Sequence, residues 1–129
     1  MTKKLEEKTV LVMEDEVDLR IFATRVLEME GYRVLQAEDG QEGLELVREN
    51  REVDLVLLDL RMPRIDGWTV LSQLKSDPEL SAIPVIVFSA SAEPGQGKEA
   101  LRMGAAGYLA KPVSAAGLRE SVGCIFRKR

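Results

Sequence analysis

Four short apolar runs in this 129-residue sequence end in side chains that can do chemistry. TVLVM, residues 9–13, is followed by Glu14, Asp15 and Glu16. DLVLLD ends in Asp59, PVIVFS ends in Ser89, and GYLA is followed by Lys111. Leu55 to Leu58 is an unbroken apolar stretch, the pattern of a strand buried on both faces. Burying the ionised carboxylate that follows costs several kcal/mol unless something pairs with it.

In open α/β sheets, sites form beyond the carboxyl ends of the strands. If the four runs are parallel neighbours, one edge receives two groups of acids, a hydroxyl and an amine. Taken singly, each residue has a plain structural reading. Asp15 or Glu16 could cap a following helix, Ser89 could be a loop hydroxyl, and Lys111 a surface lysine. Asp59 differs, because no helix begins directly after it, and the conjunction of all four strand ends favours a site. Two carboxylates about 4 Å apart repel by about 4 kcal/mol at an effective dielectric of 20. Such a group of acids holds either a proton or a cation. With only oxygen ligands and no His in the chain, the cation is a hard one: Mg²⁺ first, with Mn²⁺ or Ca²⁺ as alternatives. A lysine opposite such an ion completes a clamp for a phosphoryl group, with Asp59 as the candidate nucleophile.

These positions need rigid elements behind them. Five short apolar segments, at 9–13, 32–37, 54–59, 84–89 and 107–110, read as strands. Stretches of helical periodicity separate them. Leu19, Phe22, Ala23, Val26 and Leu27 make one stripe, with Gly31 at its stop. Residues 41–50 carry Leu44 and Val47, and residues 67–76 carry Val70, Leu71 and Leu74 ahead of Asp77-Pro78. The fourth helix has Gly95 and Gly97 where its first turn belongs, so a late start and a mobile N-terminal end are expected. The last runs from an N-cap at Ser114 to about Arg127, burying Leu118, Val122 and Ile125. Strand–helix alternation repeated five times gives a parallel sheet covered on both faces: one three-layer α/β domain over residues 1–129. Pro63 shapes the loop after Asp59, Gly67 permits a tight turn, and Trp68 packs.

A net charge of −4 and a pI near 5.0 argue against a general nucleic-acid or anionic-membrane binder. The single Cys124 excludes an internal disulfide, and without His it excludes a Cys–His nucleophile and the usual zinc sites. No apolar run reaches membrane-spanning length, and MTKKLEEKT lacks a signal-peptide core, so a cytoplasmic location is expected.

The acidic pair Glu14-Asp15, the segment LLDLRMPRIDGW, Ser89, Tyr108 and Lys111-Pro112 together resemble the receiver domain of two-component response regulators. In size the chain is similar to the single-domain chemotaxis regulator. The resemblance implies a flavodoxin-like sheet of order 2-1-3-4-5 with five helices. It implies that Asp59 accepts a phosphoryl group from a kinase phosphohistidine. It also implies that Glu14, Asp15, Asp59 and the Arg61 backbone carbonyl hold Mg²⁺, with Glu14 acting through water. Lys111 and Ser89 would contact the phosphoryl oxygens, and Tyr108 would follow Ser89 in a switch of the fourth helix, fifth strand and fifth helix. The Lys111–Pro112 bond would be cis. The implied partners are a sensor histidine kinase or phosphotransfer protein and a downstream protein, with no output domain, direct DNA binding, membrane contact or turnover activity of its own. Glu14 stands where the family more often has Asp, Ser89 where it has Thr, and Val113 where it has Phe. Arg61 and Ser91 occupy positions that influence phosphoryl lifetime in the family. A dehalogenase-type phosphatase also uses a strand-end Asp, but needs a second Asp where this chain has Arg61. A docking module that has lost its chemistry would lack the acids or the lysine. No P-loop motif occurs.

Overall fold

The computed structural model describes residues 8–90 and 93–127. Five strands and five helices alternate along them: β1 Thr9–Met13, α1 Val17–Met29, β2 Arg33–Ala37, α2 Gly40–Glu49, β3 Val53–Asp59, α3 Gly67–Ser76, β4 Val85–Ser89, α4 Gln96–Arg102, β5 Gly107–Ala110 and α5 Ala115–Arg127. The sheet is parallel throughout, in the order β2-β1-β3-β4-β5.

Alternation along the strands divides the interior into two layers. Val10 and Val12, Leu55 and Leu57, and Ile86 and Phe88 face α1 and α5, where Ala23, Leu27, Leu118 and Val122 meet them. The intervening Leu11 and Met13, Val56 and Leu58, and Val85 and Val87 face Leu44, Val70, Leu71, Leu74 and Ala100 from the other helices. The three central strands are apolar on both sides, which is why they read as unbroken runs.

Element ends follow local chemistry. Gly31, at φ 94°, ends α1: its N–H donates to Glu28 O and that of Tyr32 to Leu27 O, a Schellman closure. That bond keeps Tyr32 out of β2, which starts one residue later than its apolar run. Pro84 has no N–H for the ladder, and β4 likewise begins after it. The carboxylates of Asp39 and Asp66 cap α2 and α3 by accepting from Glu42 N and Thr69 N, and Ser114 Oγ caps α5 from Gly117 N. Where the register of β1 against β3 shifts after Thr9, the Asp54 carboxylate takes the Thr9 N–H at 2.9 Å. The α1 stripe is narrower than its sequence suggests: Phe22 is exposed at its rim, and Thr24 is buried instead. α4 is the shortest helix described and starts only after Gly95, in the left-handed region at φ 83°. Its early glycines remove helical propensity as expected.

Gly67 has a different role from the turn its sequence suggests. It opens α3, and a Cβ there would lie 2.4 Å from both Asp59 O and Leu60 Cα. Contact with the end of β3 fixes the residue, which donates its N–H to Leu60 O at 2.9 Å. Gly67→Ala is expected to destabilise the fold by about 3 kcal/mol, the upper part of the overpacking range. Urea unfolding checks this; a loss below about 0.5 kcal/mol, the range of neutral surface changes, contradicts it.

Candidate functional site

β1 and β3 are neighbours on either side of the point where strand order reverses. Glu14 and Asp15 follow β1, and Asp59 is the last residue of β3. One carboxylate oxygen from each of these three lies within 4.8 Å of the others. Glu14 is 0% and Asp59 1% exposed, whereas Asp15 faces solvent. Burial puts a limit on any view of Asp59 as simply an edge carboxylate: the acid is as deep as the apolar run before it.

Two donors to Asp59 answer that burial. Its Oδ1 accepts the Arg61 N–H at 3.0 Å, and its Oδ2 accepts from Lys111 Nζ at 3.3 Å. Lys111 Nζ also stands 3.2 Å from Glu14 Oε1 and 5.3 Å from the centre of the Phe88 ring. The lysine backbone is anchored as well, its N–H donating to Ser89 O at 2.9 Å. Ser89 is 0% exposed at the end of β4. Lys111–Pro112 is cis.

Glu14 is held differently from Asp59. Its Oε2 accepts the Glu16 N–H at 2.9 Å, while Oε1 accepts no directed hydrogen bond despite the nearby ammonium. Neither Asp15 nor Glu16 caps α1 with its side chain: Glu16 occupies the N-cap position without a capping bond. Burial pushes the Glu14 carboxyl up to about 8, and Asp59 adds to the rise. For Lys111, burial works against the charged form. The Asp59 and Glu14 carboxylates more than offset it, so its pKa lies above the usual lysine value. A buried acid held partly protonated, with two more carboxylates beside it and one ammonium shared with Asp59, is short of positive charge. An all-oxygen donor set of this kind fits a hard divalent cation.

A cavity of about 480 Å³ opens beside Asp15, lined also by Arg61, Met62, Trp68, Glu93 and Gln96 among others. Arg61 and Glu93 approach to 3.8 Å across it, both exposed. Tyr108 stands apart from the acidic cluster. It pairs in the sheet with Val87, and its hydroxyl donates to Gln96 Oε1 on α4 at 3.0 Å. Its ring lies 3.2 Å from where a Cβ on Gly97 would fall. Ser91 lies outside the described residues. Sequence reasoning missed Gln96, since nothing marks a glutamine in a weak helix as a tyrosine's partner. It also missed Arg20, whose Nη1 donates to the Glu14 carbonyl at 2.9 Å. A cation in the first turns of a helix, next to three acids, was the available signal.

Fold and site thus define a doubly wound α/β domain with an acidic, lysine-faced site at the topological switch point of its sheet. The response regulator receiver domain family matches residues 10–123, and the chain belongs to that family. The polar-differentiation response regulator DivK of Brucella anthropi is 35% identical over 116 residues, 89% of this chain and 93% of its own length. The Francisella response regulator 1452 receiver domain superposes with a TM-score of 0.87 at 30% identity, covering 95% of this chain and 98% of that one. A response regulator receiver domain protein from Clostridium thermocellum gives 0.86 at 31% identity, covering 95% and 97%. Membership makes the chain a phosphorelay signalling domain of the two-component type, a class that works with a histidine kinase or phosphotransfer protein. Among the described residues, no helix is long and apolar enough to cross a membrane.

The raised Glu14 pKa gives a pH dependence with a definite sign. Between the usual 4.5 and about 8, the metal-free fold keeps a proton that the unfolded chain has lost. The unfolded state binds fewer protons there, so stability falls as pH rises through that window. In EDTA, Glu14→Gln is expected to flatten the fall in melting temperature between about pH 5 and about pH 8. Mg²⁺, which favours the ionised acids, is expected to counter the fall in the wild type. A metal-free wild-type profile that rises over this range contradicts the assignment.

Proposed function

We propose that Asp59 is the phosphoacceptor of this receiver domain and that Glu14, Asp15, Asp59 and the Arg61 backbone carbonyl hold Mg²⁺. The observation that carries this is the convergence of three carboxylates and Lys111 at one strand edge, two of the acids buried. Mg²⁺ would supply positive charge against the phosphoryl oxygens and against the repulsion among the acids. Mn²⁺ suits the same donors.

The protein's own residues do the rest. β3, buried on both faces, fixes the Asp59 carboxylate beside the Lys111 ammonium. A carboxylate oxygen forms a bond to phosphorus as the P–N bond of a donor phosphohistidine breaks, and the imidazole leaves. Phosphoryl transfer depends chiefly on such positioning and on charge neutralisation. The Lys111 ammonium, ion-paired with Asp59, meets the oxygens of the incoming group. Ser89, ending the neighbouring strand, offers its hydroxyl to the phosphorylated state. Glu14 has one methylene more than Asp, and its folded-back carboxylate contacts Lys111 directly.

Phosphorylation adds about two negative charges beside Lys111 and Ser89. β5 carries Tyr108 from that edge to α4, where the Tyr108–Gln96 bond meets a seven-residue helix with glycines at its start. That is the element we assign as the switch, with α5 completing the partner surface. The chain acts as a cytoplasmic relay, loaded by a sensor kinase or phosphotransfer protein and read by a protein target, and not as a turnover enzyme.

Incubation with acetyl phosphate and Mg²⁺, followed by intact-mass measurement, tests the reading. The wild type is expected to gain one phosphoryl group and Asp59→Asn none. Lys111→Ala is expected to load roughly 10²-fold more slowly, the cost of one lost electrostatic donor. A folded wild type that gains nothing, or an Asn variant that gains as much, contradicts it.

A further inference from the structure

Arg20 lies in the second turn of α1, and the acidic site does not explain it on its own. A cation there opposes the positive end of the helix dipole, so its position needs an offsetting contact. The structure supplies two. Helical side chains lean toward the N-terminus of their helix, and Arg20 reaches back over the first turn. Its Nη1 donates to Glu14 O at 2.9 Å, and its Nε donates to Gln36 Oε1 on β2 at 3.3 Å.

Glu14 is therefore tied to β2 from both sides. Its N–H donates directly to Ala37 O at 3.0 Å, and its carbonyl is held by an arginine that is itself held by Gln36. The Glu14 carbonyl belongs to the same planar peptide unit as the Asp15 N–H. Fixing that plane fixes the Asp15 N–Cα bond and leaves a single backbone rotation, φ, to set the direction in which its side chain departs. Asp15 is the exposed member of the acid trio, so the sheet's interior does not hold it as it holds Asp59.

We propose that Arg20 is a positioning residue for the cation site, setting the Glu14–Asp15 peptide so that Asp15 faces Glu14 and Asp59 in metal-binding geometry. This rests on the reading of the acids as a Mg²⁺ site. Arg20 acts through the backbone and not on the ion, and its own charge would weaken cation binding if proximity alone mattered. Position and charge therefore predict opposite signs when the residue is removed.

Mg²⁺ titration of the whole chain separates them, followed by calorimetry and by fluorescence of Trp68, the sole tryptophan, in the wall of the cavity that Asp15 lines. Melting temperatures are measured alongside in EDTA. The wild type is expected to bind saturably and Asp15→Asn to lose most of that binding. Arg20→Ala is expected to bind roughly tenfold more weakly, at the low end for residues that orient metal ligands, with a metal-free melting temperature near that of the wild type. Arg20→Lys, which keeps a donor for the Glu14 carbonyl, is expected to recover most of the affinity. Arg20→Ala binding as tightly as the wild type or tighter overturns the proposal. Equal weakening in the Ala and Lys variants, with melting temperatures lowered alike, overturns it too, since that is general loss of fold. A wild type without saturable binding overturns the cation site itself, and the role of Arg20 with it.

Discussion

Carboxylate repulsion at the carboxyl edge of the sheet governs the arrangement around it. Glu14 and Asp59 are buried within reach of each other and of Asp15, and Lys111 is the ammonium placed between the two buried acids. Coulomb repulsion between such groups amounts to about 4 kcal/mol per pair at 4 Å and an effective dielectric of 20. One lysine compensates for part of that. Burial, with the neighbouring Asp59 adding to it, keeps a proton on Glu14 well above the usual carboxylate range. A divalent cation or the loss of a charge would relieve the repulsion, and both belong to phosphoryl chemistry.

The scaffold can bear this concentration of charge because the strands behind it are rigid. Leu55 to Leu58 are buried on both faces, and α3 approaches so closely that only glycine fits at position 67. Packing on both faces of β3 and the close approach of α3 therefore oppose backbone movement at this edge. Weak helical propensity lies instead beside β5, where α4 has seven residues and its first turn contains Gly97. Lys111 follows β5 directly, and Tyr108 lies in it. One short strand thus joins the charged edge to the weakest helix.

Much of this was legible in the sequence because burial and periodicity leave direct marks. Apolar runs gave the central strands, and their shared edge gave Glu14, Asp15, Asp59, Ser89 and Lys111 as a set. The boundaries that shifted did so for local reasons that periodicity does not contain: the N–H of Tyr32 closes α1, and Pro84 has no N–H to offer. Gly67 was legible as a constraint but not as its cause, since a helix–strand approach is a tertiary fact. The side-chain contacts of Arg20 and Gln96 depend on residues 16 and 12 positions away, Gln36 and Tyr108. No motif or spacing announces them. The depth of Glu14 was also hidden, because a sequence shows that an acid follows a strand but not how far it folds back.

The central claim is that the phosphoryl group goes to Asp59, and locating the acyl phosphate tests it most directly. The protein is loaded with acetyl phosphate in Mg²⁺ and reduced with borohydride, which converts an aspartyl phosphate to homoserine. Peptide sequencing by mass spectrometry then finds the modified position. The account predicts homoserine at position 59 alone, and none when EDTA replaces Mg²⁺. Homoserine at Asp15 or elsewhere, or loading that does not depend on the cation, would contradict it.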